Sequence, residues 1–155
     1  MELSQASRGS AGPYVGPREG EHVLMRGGDV FIKTGLSGVF GNLSMGTQQV
    51  LAGVGIAIHR HFVMNETFYI AEGKGTFILD GVRYPIEKGG SIFIPKLAWH
   101  GFENPEAELL LLWIMTPSGV DGMFRALGTP PGSPAIERTK EQVNHIAGQY
   151  GTEFR

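Results

Sequence analysis

The chain has 155 residues, 41% of them hydrophobic, so a single globular domain with a packed core is expected. Its net charge of −2 and the lack of a basic patch exclude a nucleic-acid partner. The longest apolar run, residues 109–115, is too short to cross a bilayer, so no membrane partner is expected. The absence of cysteine excludes disulfides, thiolate metal sites and cysteine nucleophiles. We therefore expect a soluble cytoplasmic protein.

Residues 1–20 are predicted to be a flexible N-terminal arm. Ser, Gly and Pro dominate this stretch, and it has few large apolar side chains to bury. It lacks the apolar segment of a signal peptide. The arm either stays disordered or packs on a partner subunit, and the sequence leaves both alternatives open.

Residues 21–117 are predicted to form a barrel or sandwich of short β-strands. Short apolar runs alternate here with turn residues, as is typical of such folds. Asp80-Gly81 predicts a tight hairpin, because glycine tolerates the positive φ of a type I′ turn. The predicted strands are 22–25, 29–34, 38–45, 55–61, 66–72, 76–79, 82–84, 91–94, 99–103 and 108–116.

Residues 118–155 are predicted to be a helical tail packed on the barrel, because the apolar period changes to a helical one. Ser118 is the expected N-cap of the first helix, and Gly128 is expected to end it. The second helix is expected to start at Thr139, where Gln142 would complete a capping box.

Three histidines and one glutamate are the candidate metal ligands. On a β-strand, His59 and His61 would share a face about 6.5–7 Å apart. Both rings could then close on one ion, at N–metal distances of about 2.0–2.1 Å. Glu66 would add an oxygen from the next strand, and His100 would add a third nitrogen. This set suits one divalent transition metal ion, which could be Fe, Mn, Ni, Zn or Co.

Two glycine-framed segments that contain these ligands resemble the two motifs of the cupin family. Residues 53–73 read glycine, five residues, His-x-His, four residues, Glu, six residues and glycine. Residues 89–104 read glycine, five residues, Pro, and then His followed four positions later by Asn. One departure is Leu97, which stands two residues after Pro95, where the family pattern usually has a glycine that permits a tight bend.

The resemblance implies an all-β fold, the double-stranded β-helix or jelly-roll barrel of cupins, with one or two short C-terminal helices. It implies that His59, His61, Glu66 and His100 hold the metal near one mouth of the barrel. It also implies a homodimer, as is common among small cupins. A looser resemblance of residues 113–125 and 149–154 to the quercetin-dioxygenase-like branch implies dioxygenase chemistry, with Glu66 leaving the metal to act as a catalytic base.

Apolar side chains on the ligand face form the candidate substrate pocket. Alternation places Ala57 beside His59, and it leaves open which face of strand 108–116 points inward. No Lys or Arg falls on the ligand face, which disfavours a sugar phosphate and favours a small apolar or aromatic oxygen-bearing substrate. The alternative is that these residues are only barrel core. The candidate pocket residues are Phe68, Ile70, Phe102, Trp113 and Met115.

The resulting functional hypothesis is a metal-dependent, dioxygenase-like enzyme. One alternative is a non-catalytic cupin that binds a small molecule. A second alternative is a metal-dependent isomerase, decarboxylase or hydrolase. That alternative would require a polar acid–base pair near the metal, and the sequence offers none beyond Glu66.

Overall fold

Two antiparallel β-sheets packed face to face make up the barrel in the computed structural model, which describes residues 14–34, 42–103 and 106–155. The predicted all-β jelly roll with short C-terminal helices is confirmed. The strands are β1 (Glu21–Met25), β2 (Gly28–Ile32), β3 (Ser44–Val50), β4 (Ile56–His61), β5 (Asn65–Glu72), β6 (Lys74–Leu79), β7 (Val82–Glu87), β8 (Ser91–Ile94), β9 (His100–Glu103), β10 (Leu109–Thr116) and β11 (Thr152–Phe154). The helices are α1 (Val120–Leu127) and α2 (Lys140–Gly148).

The hydrophobic core lies between the two sheets. The six-stranded sheet has the order β1-β2-β3-β10-β5-β8, and the five-stranded sheet has the order β11-β4-β9-β6-β7. Burial alternates along β10 and settles which of its faces points inward. The inward side chains of β10, all buried in the core, are Leu109, Leu111, Trp113 and Met115.

The sequence located most strands but missed two features of the sheets. The strand predicted at 38–45 lies partly outside the described residues, and the observed β3 continues to Val50 through polar residues that the apolar pattern did not mark. Strand β11 was not predicted at all. The predicted hairpin at Asp80-Gly81 is confirmed, since both residues have positive φ, 47° and 84°. Asn104 and Pro105, whose residue types also predict a corner of the barrel, lie outside the described residues.

The two helices begin at different kinds of cap. The prediction of Ser118 as the cap of α1 is wrong, because Gly119 occupies the N-cap position. A Cβ on Gly119 would lie 2.9 Å from the sulfur of the buried Met64, so close packing requires glycine here. The capping box between Thr139 and Gln142 at the start of α2 is confirmed.

The final residues of the predicted N-terminal arm lie against the barrel. The Lys33 ammonium group donates hydrogen bonds to the carbonyls of Gly16, Pro17 and Glu19. Residues 1–13 lie outside the described residues. Neither helix in the described part of the chain is long and apolar enough to span a membrane.

Candidate metal centre

The four predicted ligands meet between the two sheets. His59 on β4 lies directly opposite His100 on β9 in the five-stranded sheet. Glu66 is on β5 in the other sheet, because the chain crosses between the sheets within the few residues after His61. One ligand atom from each of the four residues lies within 4.8 Å of all the others, and all four side chains are buried. The predicted convergence of these residues is therefore confirmed.

Hydrogen bonds fix which nitrogen of two imidazoles faces the centre. His59 Nδ1 lies 2.8 Å from the carbonyl oxygen of Ala57, and His100 Nδ1 lies 2.9 Å from that of Ala98. A carbonyl oxygen only accepts, so Nδ1 carries the proton and donates in both rings. In the neutral imidazole, Nε2 then keeps its lone pair, which is the state that a metal ion binds.

A β-bulge in β4 creates the contact between His59 and Ala57. Ile56 pairs with Phe102 and His59 pairs with His100, so β4 has one residue more than β9 over this interval. The expectation that Ala57 shares the ligand face is therefore wrong. The bulge resets the alternation, exposes the Ala57 side chain and turns its carbonyl oxygen toward the His59 ring.

The donor atoms of the cluster fit a divalent transition metal. His61 Nε2 is buried and makes no hydrogen bond, although it lies 3.4 Å from Glu66 Oε2. The same carboxylate oxygen lies 3.0 Å from His100 Nε2. A buried nitrogen without a partner is costly, and a metal ion shared with the carboxylate would satisfy it. Three nitrogens and one oxygen, without sulfur, favour Fe, Mn, Ni, Zn or Co and do not choose among them.

Electrostatics keep two of the ligands, His59 and Glu66, in their metal-binding protonation states. Burial lowers the pKa of His59 well below its ordinary value of 6.5, and the neighbouring His100 and His61 lower it further. Burial alone would raise the pKa of Glu66, but the neighbouring His100 and His61 rings outweigh burial and lower that pKa to about 2. At neutral pH the cluster therefore presents a carboxylate and an uncharged His59 ring.

The candidate pocket residues all lie in the core between the sheets. None of the five is more than 3% exposed. Phe68 and Phe102 meet edge to face across the two sheets, with ring centroids 5.1 Å apart. Met115 lies opposite Glu66 in the pairing of β10 with β5, beside the ligand cluster. The surroundings of the centre are thus apolar, and no Lys or Arg among the described residues is buried.

The C-terminal strand β11 contributes two contacts to the site that sequence reasoning missed. Thr152 Oγ1 lies 2.8 Å from His61 Nδ1, and the Phe154 ring stacks on the His59 ring at 5.2 Å between centroids. A segment of three residues is too short to show a periodic pattern. Gly151, which precedes the strand, is a sequence signal for a turn, and its φ of 68° is that of a turn glycine.

Leu97 makes the bend for which the cupin pattern has a glycine. Its φ is 73°, in the left-handed region that leucine rarely adopts. Its N–H donates a 2.7 Å hydrogen bond to the carbonyl oxygen of His61. The bend before the His100 strand is therefore kept without the glycine, and it ties that strand to β4.

Sequence and structure comparisons agree with this geometry. Residues 46–115, which contain all four ligands, match the family described as the cupin domain. The fold is a cupin fold. An uncharacterized protein of Methanocaldococcus jannaschii is 35% identical over 69 residues, which cover 41% of this chain and 55% of that protein. The chain thus spans little more than half the length of that curated relative.

Two solved structures resemble the chain in fold. The first is an RmlC-like cupin from Shewanella frigidimarina, with a TM-score of 0.57 and 22% identity, covering 66% of this chain and 87% of that chain. The second is the DMSP lyase DddQ from Ruegeria pomeroyi, with a TM-score of 0.51 and 20% identity, covering 56% of this chain and 45% of that chain. At such identities these likenesses concern the cupin fold alone.

Proposed function

We propose that the protein is a metal-dependent dioxygenase acting on a small apolar or aromatic substrate that carries an enol or phenol oxygen. The observation that supports this proposal most directly is the buried cluster of His59, His61, Glu66 and His100 in apolar surroundings. When bound, a divalent transition metal with open coordination positions supplies Lewis acidity and a path for electrons between such a substrate and O₂.

The residues around the cluster would orient the substrate and exclude water. Phe68 and Phe102 offer aromatic surfaces beside the centre, and the absence of buried cations among the described residues disfavours phosphorylated ligands. Glu66 would take the proton of the substrate hydroxyl. Its carboxylate becomes a stronger base when it moves away from His61 and His100, because the proximity of these rings lowers its pKa.

The test is reconstitution of metal-free protein with Fe(II), Mn(II), Ni(II), Co(II) or Zn(II). Metal content and O₂ uptake would be measured with flavonols and β-diketones as substrates. We expect one metal ion per chain and O₂ consumption with a redox-active metal, with the zinc form inactive as the matched control. His100→Ala should bind no metal, whereas the exposed His145→Ala should bind it as the wild type does.

Three outcomes would overturn the proposal. Absence of metal binding by the wild type would refute the metal centre itself. Metal binding with tight retention of a flavonol or diketone, but no O₂ uptake with any metal, would instead support a non-catalytic binding protein. Loss of substrate without O₂ uptake would support an isomerase, decarboxylase or hydrolase. We also propose a homodimer, and sedimentation equilibrium would measure the oligomeric state.

A further inference from the structure

Within the described part of the chain, strand β11 is an edge strand of the five-stranded sheet and pairs with β4, the strand that carries two of the ligands. Thr152 lies opposite His61, and Phe154 lies opposite His59. The Thr152 side chain is 1% exposed, and its hydroxyl oxygen is 2.8 Å from His61 Nδ1. This hydroxyl therefore holds the outer nitrogen of a ring whose inner nitrogen is a metal-ligand atom.

The hydroxyl of Thr152 has a different role from the carbonyls that hold the other two rings. A carbonyl oxygen imposes Nδ1–H on His59 and on His100, whereas a hydroxyl can either donate or accept. If His61 donates from Nδ1, its Nε2 lone pair points toward Glu66, which is the metal-binding tautomer. If the proton moved to Nε2, it would point at Glu66 Oε2, 3.4 Å away, and the ring could not bind a metal ion. A Thr152 hydroxyl that accepts the hydrogen bond from His61 Nδ1 favours the metal-binding tautomer.

Two further contacts anchor this short strand. Asn144 of α2 accepts a 2.7 Å hydrogen bond from the Phe154 N–H and donates a 3.0 Å hydrogen bond to the Phe154 carbonyl. On the outer face, the half-exposed Arg60–Glu153 ion pair, 2.8 Å long, adds little to this anchoring, as is usual for surface ion pairs. The two Asn144 hydrogen bonds keep a strand of three residues in register with β4, although β-pairing of this length adds little stability alone.

We propose that Thr152 is a positioning residue for the metal centre, and that β11 is the element that delivers it. The hydroxyl accepts the Nδ1 proton of His61 and so directs Nε2 toward the ion, while Phe154 limits rotation of the His59 ring. This inference rests on the proposed metal binding and extends it to residues outside the matched cupin domain, residues 46–115. Outer-shell partners of this kind typically change metal affinity about 10–100-fold when they are removed.

The experiment compares full-length wild type with Thr152→Val, Thr152→Ser and Glu153→Gln. Valine keeps the shape of threonine without the hydroxyl, serine restores the hydroxyl, and Glu153→Gln alters the same strand on its other face. Chelator competition would give the Kd for Co(II) and Zn(II), and the visible absorption of the Co(II) form would report ligand geometry. Thermal unfolding of the metal-free variants would establish that each one folds.

We expect Thr152→Val to weaken Co(II) binding about 10–100-fold and to change the Co(II) spectrum. Thr152→Ser and Glu153→Gln should stay close to the wild type in both measurements. The inference is overturned if Thr152→Val matches the wild type in Kd and spectrum, or if Thr152→Ser is as weak as Thr152→Val.

A measurement on metal-free protein separates failure of this inference from failure of the proposed function. The ¹⁵N chemical shifts of the His61 ring report which nitrogen carries the proton. We expect Nδ1–H in the wild type and in Thr152→Ser, and a shift toward Nε2–H in Thr152→Val. An unchanged tautomer in Thr152→Val contradicts the positioning role, whereas a wild type that binds no metal contradicts only the metal centre.

Discussion

At the residue scale, burial and the neighbouring ligands make the protonation of His59 and Glu66 depend on folding. The folded protein binds fewer protons than the unfolded chain at His59, between its lowered pKa and 6.5, and at Glu66, between about 2 and 4.5. A group whose folded pKa is depressed stabilises the fold above its unfolded pKa and loses that contribution as the pH falls. Both groups therefore make the metal-free protein less stable in acid.

We predict that the free energy of unfolding of metal-free protein decreases as the pH falls from 7.5 through 6.5 and on toward the lowered pKa of His59. His59→Asn should show a smaller decrease over this window, whereas His145→Asn, which changes an exposed histidine, should match the wild type. Urea denaturation at several pH values would measure this dependence. Stability that rises on acidification would contradict the prediction.

The backbone at Leu97 gives a second prediction at this scale. Leucine at a φ of 73° is strained by about 1–2 kcal/mol, and its side chain is 52% exposed, so it buries little that glycine would lose. Leu97→Gly should raise the free energy of unfolding by about 0.5–1 kcal/mol, because the entropy of glycine in the unfolded chain offsets part of the relief. Leu97→Ala keeps the strain and should give no gain. A Gly variant less stable than the Ala variant would refute this account.

At the element scale, the bulge in β4 depends on a glycine in the neighbouring strand. A Cβ on Gly101 would lie 2.6 Å from the Ile56 carbonyl oxygen and 3.3 Å from the Ala57 carbonyl carbon. The bulged backbone approaches β9 this closely only because Gly101 has no side chain. The same bulge aims the Ala57 carbonyl at His59, so Gly101 acts on the ligand through two backbone contacts.

Gly101→Ala should therefore lower both stability and metal affinity. We expect overpacking to lower the free energy of unfolding by about 1–3 kcal/mol. Metal binding should weaken as well, because the Ala57 carbonyl shifts away from His59. Gly81→Ala is the matched control, because its φ of 84° is strained but no atom lies within 4 Å of the added Cβ. Gly81→Ala should lower the free energy of unfolding by about 1–2 kcal/mol and leave the metal Kd unchanged. Equal metal affinity in the two variants would show that the bulge does not hold His59.

The sequence predicts the ligands better than it predicts the residues that orient them. His59, His61, Glu66 and His100 follow from strand alternation and glycine framing, which are local signals. The Ala57 prediction failed because a bulge interrupts alternation without a mark in the sequence. Thr152 could not be found because it meets His61 across 91 positions of the chain. The cap of α1 depends on packing against Met64, which is equally non-local.

At the scale of the whole molecule, the candidate centre joins the two sheets. Three ligands come from the five-stranded sheet, and Glu66 comes from the six-stranded sheet. An ion bound to all four would hold the sheets together only in the folded state, because the unfolded chain does not preform the site. Metal binding should therefore stabilise the fold as a whole.

We predict that Co(II) or Zn(II) at 100 times its Kd raises the free energy of unfolding by about 2.7 kcal/mol, the value that linkage gives for one site. Glu66→Gln removes the carboxylate that bridges the sheets and should lose most of this increase. Chemical denaturation with and without the metal would measure it. A metal effect of the same size in Glu66→Gln would place the stabilising ion elsewhere.

The position of β11 has a consequence for the order of assembly. All four candidate ligands lie within residues 59–100, so a growing chain could gather them early. The hydroxyl that orients His61 is synthesised 91 positions after that histidine, and its strand must dock on β4 before the ring is held. A nascent chain would therefore hold a loosely bound ion first. It would retain that ion tightly only when β11 has docked, so that metal retention would report the docking of this strand.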